Sequence, residues 1–129
     1  MNLVPVEGHA ENGKATLRKG DFRVEVPERL LSAVSGQGNR PLIVGLRPEH
    51  LEVANGDVSD AARIPAVVDV VEYLGDEQLV HLHAGEVELI AKLPIESRLS
   101  VGQDVKLAVP IEKLYLFDAE TEAALKTAG

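Results

Sequence analysis

The chain has 129 residues, with thirteen basic against twenty-one acidic side chains, a formal charge of −8, and no cysteine. That length supports one ordinary domain, or two small β-subdomains packed together, with a real core. The acidic balance repels a phosphate backbone and argues against nucleic-acid binding. The missing cysteines exclude disulfides and cysteine-ligated zinc, which suits a reducing cytoplasm.

No stretch approaches the ~20 apolar residues of a membrane-spanning helix, and no signal peptide opens the chain. The four aromatics, Phe22, Tyr73, Tyr115 and Phe117, are scattered, whereas a base-stacking platform needs several on one face.

In chain order, Leu3-Val4-Pro5-Val6 reads as an extended segment that Pro5 assigns to an edge. Asn12-Gly13 signals a tight hairpin, with Ala15-Thr16-Leu17 returning from it. After a turn at Lys19-Gly20-Asp21, Phe22-Arg23-Val24-Glu25-Val26 alternates apolar and charged, as a strand with one wet face does. Pro27 ends it. A short helical turn is expected between Glu28 and Val34, then a loop from Ser35 to Asn39.

Pro41-Leu42-Ile43-Val44-Gly45-Leu46-Arg47 is the next strand, closed by Pro48, and Leu51-Glu52-Val53 resumes an extended pattern. The run from Ile64 to Tyr73 is β-branched and long, so a bend or bulge is expected within it. Gly75-Asp76-Glu77 is a turn, and Gly85-Glu86 joins two strands, the second placing Val87, Leu89, Ala91 and Leu93 on one face. Val105, Leu107, Val109 and Ile111 alternate with Lys106, Ala108 and Pro110. A last strand covers Leu114 to Phe117, and a turn leads into a short tail. Eight to ten short strands at this spacing predict a small barrel or sandwich with little helix.

Candidate chemistry is thin. Gly8-His9-Ala10-Glu11-Asn12-Gly13-Lys14-Ala15 approaches a phosphate loop, but Ala15 has no hydroxyl for magnesium and the turn at Gly20 leaves no room for the helix that must follow. His81 and His83 share one strand face, as metal ligands can, yet no further ligand is near in sequence. Asp76 and Glu77 are adjacent and point to opposite faces, so they form no acid–base pair. Arg47-Pro48-Glu49-His50 is the most unusual segment. Pro48 fixes a corner and biases Arg47 to an extended conformation. The corner either holds a structural ion pair between Arg47 and a carboxylate or presents Glu49 and His50 to a partner.

Val44-Gly45-Leu46-Arg47-Pro48-Glu49-His50-Leu51 resembles the G-[IL]-R-P-E-H-[IL] signature of the regulatory domain in ATP-binding subunits of sugar-type ABC importers, the maltose- and glycerol-3-phosphate-type import ATPases. Further matches follow in order. Val70-Val71-Glu72-Tyr73-Leu74-Gly75-Asp76-Glu77 resembles V-V-E-x-L-G-[SDN]-E, and Gly102-Gln103-Asp104-Val105 resembles the "G-x-x-V" turn. Leu114-Tyr115-Leu116-Phe117-Asp118 resembles the closing [LC]-H-L-F-[DR], with Tyr115 where histidine is usual. Met1-Asn2-Leu3-Val4-Pro5 resembles the M-N-[FL] start of the domain.

The resemblance implies an all-β, OB-like (TOBE-type) barrel with an associated small sheet over residues 1–129, with a subdomain seam near residues 36–40. The segment before Arg40 is short for the family. It also implies that the nucleotide-binding domain, with its ATP and magnesium sites, is N-terminal and absent here, so this chain is expected to have no enzyme activity and no cofactor. The implied role is regulation and dimerisation of an import ATPase at the cytoplasmic face of the bacterial inner membrane. The implied partners are the chain's own ATPase domain, a homodimer partner, permease subunits and a regulatory protein. Arg47, Pro48, Glu49, His50, Gly75, Asp76, Glu77 and Phe117 are the implied structural or interface positions. The competing expectation is a small-ligand or oxyanion-binding TOBE-like module.

Overall fold

A computed structural model describes residues 1–11, 14–26, 41–54, 61–121 and 124–126. The strands are β1 (Asn2–Glu11), β2 (Lys14–Lys19), β3 (Phe22–Val26), β4 (Pro41–Leu46), β5 (Glu52–Val53), β6 (Ala61–Leu74), β7 (Glu77–Ala84), β8 (Val87–Pro94), β9 (Asp104–Pro110), β10 (Tyr115–Asp118) and β11 (Ala124–Lys126). Single 3₁₀ turns cover Pro48–His50 and Ile111–Lys113. The helical turn expected between Glu28 and Val34 and the seam near 36–40 lie outside the described residues.

Length decides the behaviour of β6. At 14 residues it is more than twice a typical strand, and no single neighbour matches it. Its first half pairs with β9 from Ala61↔Pro110 to Val67↔Asp104, and touches β3 at Glu25↔Arg63. Its second half pairs with β7 from Val67↔His83 to Leu74↔Glu77, with the register slipping between Val68 and Val70. Asp69 is the extra residue, so the bulge expected from the long β-branched run is present.

Two-residue turns then carry the chain from β6 to β7 and from β7 to β8, closing at Leu74↔Glu77 and Ala84↔Val87. On the other side β1 is shared in the same way. Residues 7–11 pair with β2 and residues 2–7 with β4. Pro5 therefore sits where only one edge of β1 is laddered, as its missing N–H requires.

The sheet follows the order β11-β10-β4-β1-β2-β3-β6-β7-β8, with β5 and β9 attached beside β6. The small sheet expected beside the barrel is thus continuous with it: β4, β10 and β11 extend from β1. The long path curls until β8 returns to β1, and Asn2 closes the ring. Its side-chain oxygen accepts the Ile90 N–H (3.2 Å), and its amide donates to the carbonyls of Ile90 (3.1 Å) and Leu46 (3.0 Å). One side chain makes the rung that two backbones would otherwise share.

Alternate residues of the curled strands fill the interior. Phe22, Leu17, Leu46, Ile64, Leu82, Leu89 and Leu107 are fully buried there. The alternation expected across Val105 to Ile111 holds less cleanly, because Ala108 is buried along with Leu107 and Val109. Ala108 lies directly between Arg63 on β6 and Glu52 on β5. A methyl group between two long side chains is covered even on the wet face.

The turn expected after the last strand is present, and the short tail beyond it adds a strand. Asp118 Oδ1 accepts the N–H groups of Glu120 (2.8 Å) and Thr121 (3.1 Å), and this turn returns the chain as β11 against β10.

The β7–β8 turn packs on the β2–β3 turn, and Gly85 makes that approach possible. Its φ is +60°, and a Cβ there would lie 2.5 Å from the Phe22 nitrogen and 2.6 Å from the Asp21 carbonyl carbon. Gly75 shares the positive φ (+71°), but a Cβ there meets nothing within 4 Å. Gly75→Ala is expected to cost about 1 kcal/mol from φ alone, and Gly85→Ala clearly more, because backbone must move as well. Urea denaturation of the two variants checks the order; equal losses contradict it.

Candidate functional site

Among the described residues, the positions singled out in the sequence converge on one outer corner of the barrel. Strand β4 ends at Leu46. Arg47 follows in extended conformation (φ −80°, ψ 135°), and Pro48 occupies the first position of the 3₁₀ turn, where its missing N–H costs nothing. The His50 N–H donates to the Arg47 carbonyl (3.0 Å), and Leu51 then plunges into the core. The corner is thus rigid at both ends; Arg47 and Glu49 are exposed, whereas Pro48 and His50 are half-buried and His50 Nδ1 is covered, with no hydrogen-bond partner among the described residues.

Those side chains meet three other strands. The Arg47 guanidinium lies 5.6 Å from the Tyr115 ring centroid, and Tyr115 is stacked with Phe117 at 6.4 Å and 3°. The ion pair anticipated for Arg47 is therefore replaced, among the described residues, by a cation–π contact. The cause is local: Gly45 has no side chain to separate the two, and a Cβ there would sit 3.1 Å from Tyr115 Cβ. Such contacts contribute about 0.5–1 kcal/mol at exposed sites.

On the other flank, Lys92 of β8 reaches Glu77 Oε1 at 3.5 Å, and its charge also acts on Glu49. Lys92 is ion-paired with Glu77 and acts on Glu49 only as a weak distant charge. Both ends of the Glu77 pair are roughly half exposed, so the pair contributes about 0.2–1 kcal/mol and fixes direction more than stability. The Glu49 carboxyl is held below the usual glutamate range. Its own backbone N–H is the main cause; desolvation opposes it, and the charges of His50, Arg47 and Lys92, in that order, add to the lowering.

Gln78, which the sequence reading passed over, anchors this corner from inside. It is buried, and its amide donates to the carbonyls of Pro94 (2.9 Å) and Ser97 (2.5 Å), hooking the segment after β8 across the barrel mouth. A polar residue on the inward face of an otherwise alternating strand is the signal that marks it, since such a group needs partners.

The two histidines sit on the outer face of β7, each with its own carboxylate on β6. His83 Nδ1 donates to Asp69 Oδ1 (2.6 Å), and His81 Nε2 lies 3.3 Å from Glu72 Oε1 without hydrogen-bond alignment. His81, with Asn2, Asp69, Glu72, Glu88 and Ile90, borders an open groove of about 400 Å³. Among the described residues no three of His, Asp and Glu are placed to hold a metal ion. The described residues of the stretch resembling a phosphate loop, 8–11 and 14–15, lie on paired strands, with Glu11 paired to Lys14, and β2 follows where a helix is required. It does not fit a nucleotide phosphate.

Residues 44–117 match the family model described as TOBE domain, spanning this corner and the β6–β7 hairpin. This chain belongs to the TOBE domain family. Residues 1–51 match the MalK OB fold domain model, so two models divide this TOBE domain near its corner. It is 38% identical over 94 residues to the sulfoquinovosyl glycerol transport ATP-binding protein SmoE of Agrobacterium fabrum, covering 73% of this chain and 25% of that protein. It is 33% identical over 111 residues to the trehalose/maltose import ATP-binding protein MalK of Thermococcus litoralis, covering 82% and 30%. The TOBE domain thus spans about a quarter to a third of the length of these relatives.

A solved structure of the cytoplasmic molybdate-binding protein ModG, with molybdate bound, superposes with a TM-score of 0.65 at 11% identity, covering 89% of this chain and 94% of that one. At that identity the likeness is one of fold.

Two outcomes test this corner. Gln78→Leu strands the carbonyls of Pro94 and Ser97 and is expected to cost about 1–3 kcal/mol, with faster amide exchange at Ser97 and unchanged exchange at Val24. Glu49 has a lowered folded pKa, so its stabilisation is present above the unfolded glutamate range and fades as pH falls through the folded value. The stability of wild type over Glu49→Gln should therefore shrink in that acid window, as urea titrations from neutral to acid pH will read. A gap that widens on acidification rules this out.

Proposed function

We propose that this TOBE domain is the regulatory and dimerisation part of the ATP-binding subunit of an ABC importer for sugars or related solutes. The observation that carries the reading is the pair of family matches at residues 1–51 and 44–117, which together span residues 1–117 and whose relatives bear the names of transport ATP-binding proteins.

The geometry supports the same role. The corner offers an arginine stacked on a ring and a proline-fixed turn, beside a lysine paired with Glu77. These groups orient a surface and hold no nucleophile beside a base. In this reading ATP and magnesium bind elsewhere in the full-length protein, which works with permease subunits at the cytoplasmic face of the bacterial inner membrane. The domain contacts its own ATPase domain and a second copy, and Arg47, Glu49, His50, Asp76 and Glu77 supply the face on which a regulatory protein docks. A dimer contact outside the motor keeps two ATPase domains at high effective concentration while they separate during turnover.

The fold likeness to ModG favours one rival, an oxyanion-binding module, and the shallow cleft near His9, Arg18 and Lys19 is where cationic side chains gather. Its own Glu7, 3.8 Å from His9, opposes an anion there.

The purified chain is expected to show no saturable ATP hydrolysis, to associate reversibly with itself in sedimentation at high concentration, and to give no heat with molybdate or sulfate in calorimetry. Hydrolysis that tracks the pure protein sinks the regulatory reading, and a stoichiometric molybdate isotherm transfers the case to the rival.

A further inference from the structure

Among the described residues, the second half of β6 has one edge with no strand laddered to it. Residues 61–67 are laddered to β9, and the Val68 N–H and carbonyl are taken by Gln103 (3.0 Å) and Gly102 (2.7 Å). Beyond that, among the described residues, only β7 pairs with β6. Two independent arguments give the direction of the backbone groups there. The two-residue turn closes at Leu74↔Glu77, so Leu74, Glu72 and Val70 bond toward β7, and Val71 and Tyr73 bond away from it. Val68 bonds away from β7 as well, and the one-residue bulge at Asp69 shifts the parity so that Val71 and Tyr73 continue on that side.

Natural edges carry lysine, proline, an unbalanced charge or a bulge. This one has the bulge at Asp69 at its start, and no lysine or proline in the stretch after it. Residues 69–74 read Asp-Val-Val-Glu-Tyr-Leu. The two carboxylates are already engaged, Asp69 by His83 and Glu72 by His81. Around the edge lie exposed apolar side chains: Val70 is 47% exposed, Tyr73 71%, Leu74 51%, and Val101, beside Val68, 70%.

We propose that this edge pairs antiparallel with the same edge of a second copy, about a two-fold axis at Val71. The charge pattern selects that occupant and register. Val71 faces its own copy, Val70 faces Glu72, and Tyr73 faces Asp69, so no carboxylate opposes another. An axis at Glu72 would set the two Glu72 side chains against each other, which is destabilising. The two Val71 residues exchange both N–H···O bonds, and the sheets of the two barrels become continuous. The pairing is isologous and therefore closed at two. Each copy is acidic, so long-range repulsion opposes the encounter and is screened by salt. The proposal rests on the dimerisation reading above and supplies its surface.

The test uses the wild-type chain with Tyr73→Glu, which sets a carboxylate opposite Asp69 of the second copy, and Tyr73→Phe, which keeps the ring. Wild type and Tyr73→Phe are expected to associate alike, more tightly at higher salt, with Tyr73→Glu weaker by roughly tenfold. Amide protection at Val71 and Tyr73 should rise with protein concentration in wild type and stay flat in Tyr73→Glu. Unchanged protection of Val80 in all three shows that the hairpin is intact. Association that survives Tyr73→Glu, with concentration-dependent protection at Leu3 and Ile43 instead, overturns the edge and leaves dimerisation standing. A wild type that stays monomeric throughout overturns both and leaves the edge to a strand from another protein.

Discussion

Strand β6 must hydrogen-bond along 14 residues to neighbours that are each about half as long, so it passes from one partner to the next. Strand β9 takes its first half, β7 takes its second, and β3 touches it once. A flat sheet cannot do this. The bulge at Asp69 bends the strand where the hand-over occurs and raises the local twist, and that bend turns a row of hairpins into a curled wall. Strand β1 repeats the device with β2 and β4. The ring, the open edge and the position of the 47–50 corner all follow from these two shared strands.

The corner shows what such a frame is for. Its contacts are individually small: a cation–π stack, a half-exposed ion pair, a 3₁₀ turn with one proline. None would order a loop alone. They act on a backbone whose two ends are already fixed, Leu46 and Leu51 being buried to within 1% of full coverage. The weak contacts therefore choose among side-chain directions and have no need to hold the chain itself. Arg47 ties the turn to β10, and Lys92, paired with Glu77 of the β6–β7 hairpin, acts on Glu49 only as a weak distant charge, so distant stretches of sequence present one surface. That arrangement suits recognition by another protein, for which direction matters more than reactivity.

Much of this was legible in the residues. The hairpin turns, the long bulged strand and the extended Arg47 before Pro48 each follow from a local rule acting over a few positions. The rest depends on partners far away in the chain. Arg47 meets a ring 68 positions later, and nothing near Arg47 says that Gly45 will clear the way. Asn2 bonds Ile90 across 88 positions. Ala108 is covered because two strands happen to set Glu52 and Arg63 beside it. Gln78 was visible as a polar residue in a buried slot, but its partners are the end of the pairing strand, Pro94, and Ser97 beyond it. Periodicity reports which face a residue takes; it is silent on what waits there.

The Asn2 closure gives the barrel an uneven elasticity. Around most of the ring, neighbouring strands share backbone ladders, which stretch together and resist as a set, and even β3 and β6 meet through a backbone pair. Between β1 and β8 the join is a single carboxamide with two short arms. A force that widens the ring therefore does not spread evenly; it concentrates at this join, as strain gathers at the clasp of a bracelet. Any partner that pulls on the amino-terminal strand or on β8 works against the softest spring in the circuit, and the circumference of the barrel is set by how firmly one side chain holds.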